Sequence, residues 1–228
     1  MSGDAASRSF GTGPLARTAA VVYTLMVTDF LLLVTTAAGL VPLLLLSGDA
    51  SNLPIDALCL LPAGPAASAV LFAVHRRTAD LADLHPAAAF WRGYRLNAAG
   101  VLRVFVPWLV VMTMIAMIFA HRGTLGIPGW WRVLLVVIAV ALTLWQTNAM
   151  VITSLFTFRA VDVARLAAYF LGRTPLVTLG NAGLLVAAAV VTAFGTEAVM
   201  ALLASLFGLL LLYNCRAMIA EVREDFTA

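Results

Sequence analysis

Six long apolar stretches, with arginines placed on alternate sides of them, constrain this 228-residue chain more than any other feature. A helix needs about 20 consecutive, mostly apolar residues to cross the hydrocarbon of a bilayer. The chain is 63% hydrophobic and only 11% charged. A water-soluble domain of this length would be left with apolar surface that aggregates. The reading is an all-α integral membrane protein with six transmembrane helices, at about 18–46, 57–75, 101–120, 133–158, 175–195 and 198–219. Residues 1–16 form a flexible tail, 17–220 a single membrane domain and 221–228 a charged C-terminal tail. The apolar run after Arg17 exceeds the h-region of a secretory signal, so it is expected to be an uncleaved first helix.

Every basic residue apart from the three histidines is Arg, and twelve of the fourteen fall on one side of the six helices. Arg8 and Arg17 precede the first helix. Arg76, Arg77, Arg92, Arg95 and Arg103 lie between or at the ends of the second and third. Arg159, Arg165 and Arg173 lie between the fourth and fifth, and Arg216 and Arg223 close the sixth. Only Arg122 and Arg132 fall on the other side. The positive-inside rule then puts both termini in the cytoplasm of a chain that crosses its membrane several times. This distribution accounts for the net charge of +3 and pI of about 9.3 without nucleic acid as a partner. Trp130-Trp131-Arg132 reads as an anchor at the outer interface.

The two arginine-rich connectors carry helical patterns. In the second, Val163, Leu166, Ala167, Phe170 and Leu171 repeat at helical spacing, with Arg159, Asp162, Arg165 and Tyr169 on the opposite face. An amphipathic helix over 161–171 is expected, with Gly172 just past its end and Thr174-Pro175 capping and opening the next span. In the first, Pro86 can open a helix that carries Phe90-Trp91-Arg92-Gly93-Tyr94-Arg95-Leu96-Asn97. Arg92, Tyr94 and Arg95 are its candidate contacts to a partner or to lipid headgroups.

Candidates for chemistry are few. Asp29 is a carboxylate about 16 Å into the first helix, near the midplane, and must face the bundle interior. It reads either as a proton- or substrate-linked group or as a buried acid satisfied by Asn, Thr or Gln of a neighbouring helix. Gln146 and Asn148, with Thr147 between them, are polar groups at the centre of the fourth helix. They serve as interhelical hydrogen-bonding groups or share a polar cavity with Asp29. Pro62-Ala-Gly-Pro65 removes two backbone donors, so Pro62, Gly64 and Pro65 mark a kink or a break in the second helix. In the second case, regular helix resumes only near Pro65. Cys59 and Cys215 fall near opposite faces, and His75, His85 and His121 lack ligand spacing. No metal, cofactor or catalytic residue is expected.

Three features together resemble the YesL-like family of small bacterial membrane proteins, whose molecular function is unknown. Leu60 to Ala69 is similar to the proline-and-glycine motif that opens that family's second helix. Phe90 to Asn97 is similar to its aromatic-basic element, and the six-span pattern matches along the chain. This chain lacks the few extra residues, including a Thr, that longer members carry between the Pro and the Gly-Pro. The resemblance implies an association with carbohydrate uptake, because such proteins are often encoded beside sugar ABC-transporter and glycoside-hydrolase components. The expected function is that of a non-enzymatic accessory or regulatory subunit. Its expected partners are the lipid bilayer and either sugar ABC-transporter subunits or a second copy of itself. The alternative is a small-solute transporter or channel built on Asp29 and the polar cluster of the fourth helix.

Overall fold

Apolar side chains on nearly every turn make helix the only local structure that pairs its own backbone in hydrocarbon. In the computed structural model the described residues are 14–46, 49–77, 84–121, 128–195, 199 and 202–226, and every regular element among them is helical. They form α1 (Pro14–Leu45), a 3-10 turn (Ala50–Asn52), α2 (Leu53–Cys59), α3 (Ala63–His75), α4 (Pro86–Ala120) and α5 (Gly129–Leu155). α6 (Ala160–Arg173), α7 (Pro175–Phe194), α8 (Ala204–Asn214) and α9 (Arg216–Phe226) follow. Four of these, α1, α4, α5 and α7, are each long and apolar enough to cross a membrane. The pairs α2–α3 and α8–α9 bring the number to six if each bent pair is one span.

Several expected boundaries move. α1 starts at Pro14, inside the tail expected over 1–16, because Pro suits a helix's first turn and Leu15-Ala16 propagate it. The first connector is not a separate helix. α4 runs unbroken for 35 residues and so measures about 52 Å, longer than the hydrocarbon is thick. Leu96-Asn97-Ala98-Ala99-Gly100 contains no proline to stop it, and one glycine costs only about 1 kcal/mol. Gly100 also packs against the Thr153 methyl group. In the second connector α6 forms as expected: Val163, Leu166, Ala167 and Phe170 are buried while Arg165 and Tyr169 are exposed. Gly172 does not end it. The helix continues to Arg173, and Thr174 stands both at its C-terminal cap and, as expected, at the N-cap of α7, which Pro175 opens. The Thr174 side chain serves α6, donating its Oγ1 to the Phe170 carbonyl at 2.9 Å.

The proline motif bends the second stretch by 41° between Cys59 and Ala63. The segment before the bend is helical, not irregular, and α3 begins before Pro65. The prolines fall in the first turn, where backbone N–H groups have no helical partner in any case. The bend brings the Cys59 carbonyl onto α1, so closely that a Cβ on Gly39 would overlap it. The sixth stretch is also not one helix. It turns by 57° at Cys215, and the expected charged tail from Glu221 is helical to Phe226 as part of α9.

The core lies where α3 meets α1, α4, α5 and α8, and the buried faces of α6 and α9 continue it. Ten of the thirteen residues of α3 are buried. Small residues allow the closest approaches there. A Cβ on Gly93 would stand 2.8 Å from Phe72 Cβ, and one on Gly64 2.8 Å from the Phe105 ring. Phe90, fully buried, anchors the aromatic element and stacks with Tyr94 at 6.3 Å between ring centroids.

Candidate functional site

A polar group inside a span must be bonded or face water, so the partners of each one indicate its role. Asp29, only 8% exposed, is held by one residue of α8. The Ser205 backbone N–H donates to Asp29 Oδ1 at 2.8 Å, and Ser205 Oγ donates to Oδ2 at 2.7 Å. Ser205 stands in the first turn of α8, where backbone donors lack intrahelical acceptors. The carboxylate thus caps a helix N-terminus supplied by another part of the chain, a position the helix dipole also favours for negative charge. The expected partner types were Asn, Thr or Gln; the observed one is Ser.

Asn148 belongs to a different group. Asn181 of α7 donates its Nδ2 to Asn148 Oδ1 at 3.0 Å, and Asn214, at the end of α8, donates to Asn181 Oδ1 at 2.9 Å and to the Val177 carbonyl at 2.9 Å. This carboxamide ladder ties α5, α7 and α8 together. The approach is so close that a Cβ on Gly180 would overlap the Asn214 amide. A third tie joins α3, α4 and α5. Ser154 Oγ lies 2.8 Å from Ser68 Oγ, and Asn97 donates its Nδ2 to the Ser154 carbonyl at 3.0 Å and to Ser68 Oγ at 3.3 Å. Trp145 Nε1 donates to the Ala164 carbonyl at 3.0 Å and fastens α6 to α5.

No bond among the described residues joins Asp29 to Gln146 or Asn148, so the structure does not bring the three together. Gln146 is buried, and its Oε1 has no partner; among the described residues Trp108 Nε1 is the other buried side-chain atom in that condition. Pro62, Gly64 and Pro65 stand at the bend, with Gly64 and Pro65 buried and Gly64 close against the Phe105 ring. Arg92 and Arg95 are exposed on one face of α4 with Ala88, Trp91 and Leu96, whereas Tyr94 is half-buried in the aromatic group.

Sequence reasoning passed over Ser205, Asn181 and Asn214. The available signal was a lone carboxamide inside one hydrocarbon run, Asn181 within 177–194, and another at the end of a second, Asn214 after 206–213, with its cost when unpaired. At the membrane-proximal surface Arg173 Nε donates to Glu221 Oε1 at 3.1 Å, and the carboxylate raises the guanidinium further above its already high pKa. No family model, curated protein or solved structure matches this chain.

Proposed function

We propose that the chain is a non-enzymatic, six-span protein of a bacterial inner membrane with both termini cytoplasmic. In this reading it acts as an accessory or regulatory component of an ABC-type carbohydrate uptake system. Each bent pair counts as one crossing, which keeps twelve of fourteen arginines on the cytoplasmic side. The link to carbohydrate rests on the resemblance to the YesL-like family. The observation that carries a supporting rather than a transporting role is that Asp29 and the carboxamide ladder are bonded within the chain, with Gln146 Oε1 the one buried exception near them. Asp29 is taken up by Ser205, and Asn148, Asn181 and Asn214 by one another. A transport pathway needs polar groups that exchange partners with a solute. These groups instead hold helices together.

The exposed face of α4 that bears Arg92 and Arg95 offers charge and ring contacts to a partner subunit. Co-purification from native membranes tests the reading. The wild type and Asp29→Asn should both bring down transporter subunits, and uptake should be unchanged by Asp29→Asn. Arg92→Glu with Arg95→Glu should lose the complex while remaining correctly inserted. Loss of uptake in well-folded Asp29→Asn, with the complex intact, would replace this reading with transport by the chain itself.

A further inference from the structure

Four of the five charged residues of α9 lie on two edges, with Glu224 between them on the exposed side. Met218, Ile219 and Val222 are buried, while Arg216 and Arg223, seven positions apart, share one flank and Glu221 and Asp225 share the other. The acidic flank meets Arg173 of α6 through Glu221. On the basic side, the charges of Arg223, Arg76 and Arg77 all bear on His75 at the end of α3. Two of the guanidiniums there are held by ring faces. Arg76 lies 4.6 Å from the Phe72 centroid and Arg216 4.5 Å from that of Tyr213, which leaves their N–H groups for an acceptor. Among the described residues, none of Arg76, Arg77 and Arg216 pairs with a carboxylate.

Between the ends of α3 and α8 this cluster borders a mouth of about 300 Å³, lined by Val74, His75, Arg77, Leu209, Leu212 and Tyr213. Basic and aromatic groups occupy part of the wall, and aliphatic groups occupy the rest. We propose that this mouth binds one anionic phospholipid of the cytoplasmic leaflet, its phosphate on Arg77 and Arg216 and an acyl chain along Leu209 and Leu212. Charge complementarity selects the anion, and the aliphatic wall selects a lipid over a free phosphate. The site is separate from the Arg92–Arg95 face and rests on the reading of the chain as a membrane protein.

The full chain is reconstituted in vesicles of phosphatidylcholine, with or without phosphatidylglycerol, and retained lipid is counted by native mass spectrometry after extraction. The wild type should retain phosphatidylglycerol in preference. Arg77→Gln with Arg216→Gln should lower that retention by roughly thirtyfold, at about 1 kcal/mol for each arginine near the surface. Arg159→Gln with Arg165→Gln removes the same charge from exposed positions at and near the start of α6 and should leave retention unchanged. Equal loss in both double variants would reduce the site to general surface charge and overturn the proposal. Wild-type chain that inserts but shows no preference for phosphatidylglycerol would overturn it too. Displacement of the lipid by inorganic phosphate alone would reassign the cluster to a free anion. Failure of the wild type to enter vesicles would refute the membrane reading itself, and the site with it.

Discussion

Ten of the thirteen residues of α3 are buried, whereas α7, twenty residues long, buries only Val177 and Asn181, both in its first two turns. α5 shows the same contrast within one helix. All its buried residues fall between Gln146 and Ser154, while Val133, Val136, Val137 and Val140 of its first half are exposed. Under the proposed topology the well-packed region is the half of the bundle toward the cytoplasm, and the loose region is the outer half. The ladder, the Ser68–Ser154–Asn97 group and α6 all belong to the packed half, with the Asp29 cap close to mid-depth. Hydrocarbon gives helices little reason to associate on apolar grounds alone, so specific association follows close packing and hydrogen bonds. The outer half has few of either, and there the side chains face lipid.

Paired substitutions sharpen this contrast. Gly93→Leu should have the largest effect, about 3 kcal/mol or more of lost stability, because a side chain there collides with Phe72. Gly183→Leu, in α7 with nothing within 4 Å of its Cβ position, should stay within about 0.5 kcal/mol of wild type. Denaturant unfolding in mixed micelles reads both, and equal losses would erase the distinction between the halves. Asn181→Ala comes next, at about 1–2 kcal/mol, because it removes the centre of the ladder, taking its donor from Asn148 and leaving Asn214 only the Val177 carbonyl. Ser205→Ala should cost about 1 kcal/mol, because Asp29 keeps the backbone N–H and loses the hydroxyl. Thr192→Ala is the outer counterpart. Its hydroxyl bonds only the Ala188 carbonyl of its own helix, and its loss should be undetectable in the same assay. Arg173→Gln should likewise be silent at high ionic strength, because its exposed pairing with Glu221 should matter only at low salt, a dependence read by repeating the unfolding at both.

Helix positions and the amphipathic face of α6 were legible in the sequence because periodicity reports which side of a helix is buried. The outcome at Val163, Leu166 and Phe170 follows that pattern directly. The length of α4 was not legible. A change from amphipathic to uniformly apolar sequence marks a change of environment, not of backbone, and the helix crosses it without interruption. The Asp29–Ser205 contact spans 176 positions and depends on where α8 begins, which no local pattern encodes. The ladder was half legible: Asn148 stood out within a polar run, whereas Asn181 and Asn214 were isolated and their alignment is set by tertiary packing.

The contrast between halves has its functional meaning only if the packed half faces the cytoplasm, which requires both bent pairs to cross the membrane. Topology reporters placed after Phe226 and at Asn52 test that claim most directly, because Asn52 precedes the α2–α3 bend and Phe226 ends α9. The account predicts a cytoplasmic signal after Phe226 and an external one at Asn52. Reporters at the two positions on the same side of the membrane would contradict it.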